Sequence, residues 1–391
     1  MQYRNDRSGD PVSLLGYGCM RFSKKGAGLD YDKAEAELLR GLELGVNYFD
    51  TAYIYPGSES LLGTFMEKNG CRDQMKIATK LPQYMVRNIS QADRFFDEEI
   101  KRLKTDYIDY YLMHMVTDVQ QWKNLRELGI EEWIANKKAT GAIGNIGFSF
   151  HGSTELFLEV LNAYDWDFCQ IQYNYLDENT QAGRVGLQAA EAKGIPVIIM
   201  EPLRGGRLID LPKQGRKALE ASGRSWSAAE WAFRWLMEQP EVTCVLSGMN
   251  SIEMVEENCR VASEVEVGEF TEADLDTIDK VVTAIRDTQK VGCTGCAYCM
   301  PCPAGVDIPA LFRCYNHMYT ESKNEGRSEY WQTVSLRKKK AFARQCVDCG
   351  RCESKCPQSI PIRKEIRNAD RALRPLPWRV AGDVARLWAI R

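Results

Sequence analysis

The sequence predicts an α/β protein: a (βα)8 TIM barrel followed by a small, mostly helical domain rich in cysteine. Three observations lead there. Short apolar runs alternate with longer amphipathic stretches from Ser13 to Leu246. The composition turns sharply to cysteine, proline and glycine at Val291. Of the 14 cysteines, most fall in two tight groups near the C-terminus.

The apolar runs are Ser13–Tyr17, Val46–Asp50, Lys76–Thr79, Tyr107–His114, Asn145–Ser149, Phe168–Ile171, Pro196–Met200 and Thr243–Leu246. Runs of this length read as strands. Helix-like stretches separate them, among them Tyr31–Leu44, Gln91–Leu103, Leu125–Lys138, Glu155–Ala163 and Ala228–Met237. Eight runs in about 250 residues fit a closed barrel better than a doubly wound open sheet. A further helix is expected over Glu272–Asp287. The expected domains are therefore a barrel over 1–285, a cysteine-rich domain over 286–365 and a basic tail over 366–391. The tail region, from Arg363 onward, carries Trp378 and Trp388. It reads as a solvated helix packed on its own domain, with a docking segment as the alternative.

Composition narrows the class. Of the 391 residues, 44% are apolar and 27% charged, and the formal net charge is −3. No global field argues for nucleic acid. Met1–Asp10 is polar, without the apolar core of a secretory signal. No run of about 18 apolar residues marks a membrane span. The expected compartment is the cytoplasm, where clustered cysteines point to metal before disulfides.

The second cysteine group is Cys346-x2-Cys349-x2-Cys352-x3-Cys356-Pro357. This is the spacing of bacterial ferredoxins, and it implies a ferredoxin-like domain. Three closely spaced thiolates reach three irons of one cubane, and the fourth serves the neighbouring cluster. The first group, Cys293-x2-Cys296-x2-Cys299-x2-Cys302-Pro303, is one residue shorter in its last gap. Two [4Fe–4S] clusters are expected: one on Cys293, Cys296, Cys299 and Cys356, the other on Cys346, Cys349, Cys352 and Cys302. Cys314 is the alternative to Cys302, or else an apolar filler. Two zinc sites are the competing reading, but zinc prefers Cys pairs a dozen or more residues apart. The two groups resemble each other as an internal duplication would.

Chemistry in such a barrel sits at the C-terminal ends of the strands. There stand Asp50, then Tyr55 just beyond it, Lys80 and His114. The stretch Asn47-Tyr-Phe-Asp-Thr-Ala-Tyr-Ile-Tyr55, followed by Ser58-Glu-Ser-Leu-Leu-Gly63, resembles the aldo-keto reductases. The likeness runs from about Tyr3 to Val261. It implies that Asp50, Tyr55, Lys80 and His114 form a catalytic tetrad that reduces a carbonyl or oxidises an alcohol. Hydride addition builds negative charge on oxygen, so a proton donor must be within reach. Lys80 is expected to make the Tyr55 phenol a stronger acid, Asp50 to keep Lys80 charged, and His114 to orient the carbonyl.

The same resemblance implies NADP(H) or NAD(H), held at Ser149, Gln170, Met200, Ser247, Gly248, Glu257 and Asn258. Three of the family's usual features are replaced. Phe150 and then His151 follow Ser149 where the family has asparagine. Met200 stands for a stacking tyrosine, and Met249 for a basic residue. Arg204 and Arg260 are substitutes for phosphate binding. A cluster passes one electron and nicotinamide moves two, so a flavin is a possible converter. Three functions follow. The first is a carbonyl reductase trading electrons with the clusters. The second is a reductase fed by a ferredoxin or other carrier. The third is a non-catalytic electron-transfer subunit.

Overall fold

The computed structural model describes residues 1–375 except 27, 321, 332–333 and 335–340. Trp378 and Trp388 thus lie outside the described residues. The chain forms two compact units. One comprises Met1–Pro202 and Ala229–Phe270; the other comprises Leu203–Ala228 and the described residues from Thr271 onward.

The first unit is a barrel of β1 (Leu15–Gly18), β2 (Tyr48–Asp50), β3 (Lys76–Leu81), β4 (Ile108–Val116), β5 (Ile143–Phe150), β6 (Phe168–Gln172), β7 (Val197–Met200) and β8 (Val242–Ser247). Each strand pairs parallel with the next, and β8 closes on β1 through Val245↔Leu15 and Ser247↔Tyr17. Closure excludes the open sheet. Each expected run became a strand, with ends shifted by at most two residues. Ser13 is the exception in kind. It closes a short hairpin, Tyr3–Asn5 with Pro11–Ser13, which the apolar pattern did not announce.

Helices follow the strands: α1 (Tyr31–Glu43), α2 (Ser58–Asn69), α3 (Ile89–Leu103), α4 (Val119–Glu127), α5 (Ile130–Ala139), α6 (Thr154–Leu161), α7 (Gly183–Glu191), α8 (Lys213–Glu220), α9 (Ala228–Met237) and α10 (Ile252–Glu264). Their starts are set by short polar caps. The side chains of Asp30, Asn88, Asp118, Ser153 and Ser251 accept from backbone N–H groups of α1, α3, α4, α6 and α10. The single helix expected over Leu125–Lys138 is two helices. Gly129 sits between them at φ 91°, a left-handed conformation that glycine adopts without a Cβ penalty.

The barrel interior is filled by Val12, Tyr48, Ala78, Tyr110, Leu112, Phe168, Ile198, Cys244 and Leu246. Tyr110 packs edge-on against Tyr48 and Phe168, at 5.0 and 5.2 Å between ring centres. Gly147 makes room for Phe168: a Cβ there would lie 2.6 Å from the Phe168 carbonyl and 2.7 Å from its ring. This interior layer fixes strand parity. Inward positions two residues further along each strand arrive at the mouth.

The second unit holds α8, α11 (Glu272–Thr288), α12 (Ile308–Thr320), α13 (Lys323–Tyr330) and α14 (Ile362–Leu373). Its apolar core includes Val306, Ile308, Leu311, Phe312, Ile362, Ile366 and Leu373. The first part of the expected tail is α14, whose Ile362, Ile366, Ala369 and Leu373 face that core at helical spacing. Among the described residues no helix is long and apolar enough to cross a membrane.

Candidate active site and cluster-binding loops

Strand parity carries Asp50, Lys80 and His114 inward, one step above Tyr48, Ala78 and Leu112. All three are at least 96% buried. Lys80 Nζ donates to both carboxylate oxygens of Asp50 and to the Thr51 carbonyl, each at 2.7 Å. Gln170 Nε2 donates to Asp50 Oδ2 at 3.0 Å. Burial raises the Asp50 carboxyl above its ordinary range, and Lys80 and Gln170 pull it back. The Tyr55 ring centre stands 5.4 Å from Lys80 Nζ and 6.1 Å from the His114 ring, edge-on. Tyr55 is only half-buried. Burial and the Lys80 charge push His114 well below the ordinary imidazole range, so it is neutral at pH 7.

The structure thus brings the four expected residues to one mouth. It also leaves buried polar atoms there without partners: His114 Nδ1 and Gln170 Oε1. An orphaned amide oxygen is costly unless a ligand donates to it. Ser149 lies beside Gln170 in the sheet register, and its Oγ accepts from Met115 N at 2.9 Å. Phe150 faces the other way, 5.2 Å from Phe157 of α6. His151 is the next residue on the Ser149 side, 7% exposed. Burial lowers its imidazole to about 4.

Beyond β8, Asn258 Nδ2 donates to Ser247 Oγ at 3.1 Å, and Glu257 beside it is half-buried. Met249 is buried, its carbonyl accepting from Tyr17 at 2.9 Å. Arg21 lies over Gly248, its Cδ 3.4 Å from where a Cβ would stand. The two substitutes for phosphate binding are engaged elsewhere. Arg260 pairs with Glu230 and Glu264 at 2.7 Å. Arg204 is buried and donates to Gln289 at 3.0 Å.

In the second unit the two cysteine groups share one backbone design. Gly295 and Asp348 both take left-handed φ, as do Ala297 and Gly350 one residue after the second cysteine of each group. The Gly295 and Asp348 amides each lie 3.4 Å from the first sulfur of their group, on Cys293 and Cys346. Met300 N bonds Ala297 O at 2.8 Å as Glu353 N bonds Gly350 O at 3.0 Å. Helices α12 and α14 then begin the same distance past Cys302 and Cys356.

The groups interleave. Burial pushes the Cys299 thiol up, and the thiols of Cys293, Cys296 and Cys356, the last from the other group, lie near enough to add to it. Cys302, Cys346, Cys349 and Cys352 line one cavity of about 250 Å³, together with Cys299 of the other proposed set. Cys314 lies fully buried in the apolar core. All 14 thiols are free of disulfides. Among the described residues no three His, Cys, Asp or Glu converge on a point that would hold a single metal ion. Four thiols spread about a cavity suit the corners of a cubane, where each meets a different iron. Zinc would draw its ligands to one tetrahedral centre.

A model of the aldo/keto reductase family matches residues 14–283. The chain belongs to the aldo/keto reductase family. A model of the 4Fe-4S dicluster domain matches residues 292–360. Among curated relatives, the uncharacterized oxidoreductase YqkF of Bacillus subtilis is 26% identical, over 64% of this chain and 88% of its own. L-galactose dehydrogenase of Arabidopsis thaliana is 24% identical over 72% and 93%. An aldo-keto reductase of Klebsiella pneumoniae, solved with NADPH, is similar in fold at TM-score 0.60 and 22% identity, covering 72% of this chain and 95% of that one.

Two residues of the mouth escaped the sequence reading of the site. Arg21 had a positional signal, since it lies three residues beyond the end of β1. His151 was noted only as the neighbour of a missing asparagine. Its inward direction became legible once Gly147 and Ser149 set the parity of β5.

Proposed function

We propose that this reductase interconverts a small carbonyl and its alcohol with NADP(H) or NAD(H), and exchanges electrons with two [4Fe–4S] clusters. The observation that carries the reading is the buried Asp50–Lys80 pair beside Tyr55 and a neutral His114. When bound, a nicotinamide supplies or accepts a hydride, and the clusters supply or accept single electrons. Ser149 and the orphaned Gln170 oxygen fit a carboxamide, whose amine would satisfy that oxygen. Ser247, Gly248, Glu257, Asn258 and Arg21 would hold the phosphate and adenosine end. Met200 would lie against the ring. As negative charge builds on the carbonyl oxygen, Tyr55 gives it a proton. Lys80, its own protons directed to Asp50 and Thr51, keeps a fixed positive charge beside the phenol as that proton leaves. Neutral His114 orients the carbonyl by hydrogen bond.

The cluster ligands in this reading are Cys293, Cys296, Cys299 and Cys356, and Cys302, Cys346, Cys349 and Cys352. A test is the visible spectrum of protein purified without oxygen, before and after NADPH. Bleaching of the broad cluster absorption supports shared electrons. Clusters that stay oxidised with NADPH yet bleach with dithionite count against it.

A second reading, a ferredoxin-fed reductase with or without flavin, draws on Met200 in place of an aromatic ring. Tight NADPH binding to the barrel argues against it, and a denatured extract free of any yellow fluorescent chromophore argues against its flavin form. The buried Asp50–Lys80 pair disfavours a purely electron-transferring scaffold, because an unused ion pair at 2.7 Å is costly to desolvate.

A further inference from the structure

Above the layer of Ser149 and Gln170, the next positions of the same parity are His151, the residue after β5, and Gln172 of β6. A chain of hydrogen bonds ties them. Gln172 Nε2 donates to Asp177 Oδ2 at 3.0 Å. Gln181 Nε2 donates to Gln172 Oε1 at 2.7 Å. Gln181 Oε1 then lies 3.2 Å from His151 Nδ1.

The order of these bonds has chemical direction. Asp177 Oδ2 accepts, so it draws the amide nitrogen of Gln172. The Gln172 oxygen must then meet the Gln181 nitrogen, which turns the Gln181 oxygen to His151. An amide oxygen only accepts, so His151 Nδ1 carries the proton. In a neutral imidazole the other nitrogen is then an acceptor. The chain is held firmly. Gln172 and Asp177 are at least 95% buried. Gln181 has φ 58°, a conformation that costs a non-glycine residue energy and persists where its surroundings enforce it. Thr154 Oγ1 donates to the Gln181 carbonyl at 2.7 Å, and His151 N donates to the Val116 carbonyl at 2.8 Å.

We infer that Asp177, Gln172 and Gln181 fix His151 as the Nδ1–H tautomer, so that Nε2 presents a lone pair at the barrel mouth to an N–H or O–H donor of the bound ligand. Two sources offer that donor: the carboxamide amine of a nicotinamide, or a hydroxyl next to the carbonyl of the substrate. His151 is a positioning residue for either, and the inference rests on the reading of the mouth as a carbonyl-reducing site.

The experiment has a spectroscopic part and a binding part, both on holoprotein purified without oxygen. The chain has 3 histidines, so ¹⁵N-histidine labelling resolves each ring, and His151→Gln assigns the one of interest. The expected spectrum has a protonated Nδ1 and an unprotonated Nε2 for His151, and Gln181→Leu scrambles it. A protonated Nε2 in the wild type overturns the inference. The binding part compares wild type, His151→Gln, which keeps an acceptor, and His151→Phe, which does not, all checked for iron content and melting temperature. About tenfold weaker NADPH binding in His151→Phe, restored toward wild type in His151→Gln, assigns the carboxamide. Unchanged NADPH binding with about tenfold lost preference for hydroxy-carbonyls over their deoxy counterparts, read as kcat/KM, assigns the substrate. Wild-type values for His151→Phe in both measurements overturn the inference. Absence of NADPH binding and carbonyl turnover in the wild type itself would instead sink the parent reading, and the ¹⁵N spectrum separates the two failures.

Discussion

Lys80 Nζ lies 2.7 Å from each carboxylate oxygen of Asp50 and 2.7 Å from the Thr51 carbonyl. All three ammonium protons are therefore directed, and the charge cannot swing away from the Tyr55 ring. Lys80→Met leaves the Asp50 carboxyl buried without its partner. A loss of about 3–5 kcal/mol is expected. Chemical denaturation checks it, and Asp50→Leu in the same chain should recover part of the loss.

Tyr55 is half-buried at the mouth, where substitution removes a hydroxyl and little packing. Tyr55→Phe is expected to lower carbonyl turnover about 10²- to 10⁴-fold, the usual contribution of a positioned proton donor. Iron content and melting temperature should stay near wild type. Turnover at the wild-type rate would refute the proton-donor role.

Cys302 and Cys314 separate by environment. Cys302 lines the cavity with Cys346, Cys349 and Cys352, whereas Cys314 is fully buried among apolar side chains. Cys302→Ser should lower the iron of anaerobically purified protein, since one cluster loses a thiolate. Cys314→Ser should keep the iron and cost about 1–3 kcal/mol for a buried hydroxyl. The opposite pattern of iron loss would reverse the ligand assignment.

The depressed imidazoles of His114 and His151 make stability fall with acid. An unfolded histidine takes its proton near pH 6.5, but folded His151 takes it only near 4. The unfolded state thus binds more protons in that window. Stability is fully present above about 6.5 and declines as pH falls toward 4. His151 alone should contribute on the order of 3 kcal/mol to the decline. Denaturation of wild type and His151→Gln at pH 7 and pH 5 reads the part of it that falls in that interval, about 2 kcal/mol, with a shallower decline expected in the variant.

Arg21 lies over Gly248, at the proposed phosphate end. Arg21→Ala should raise KM for NADPH by roughly tenfold, the size of a lost hydrogen bond to a charged group. The kcat should hold. An equal effect on NADH would place Arg21 at the shared phosphates, and a larger effect on NADPH at the extra one.

Much of this was written in the sequence. Alternating runs specify strands and helices because period 2 and period 3.6 bury different faces. Cysteine spacing announces clusters because thiolates must meet separate irons on short loops. Asp50, Lys80 and His114 were legible at strand ends because barrel chemistry gathers there. Only the tertiary structure decided which residues share a face. A shift of one residue turns a strand side chain from the interior to the helices. That is why Phe150 packs outward on Phe157 while His151 looks into the mouth. The partners of His151 come from a loop 30 residues away, and those of Cys299 include Cys356 from the other cysteine group. Such meetings depend on chain closure in three dimensions, which no local pattern records.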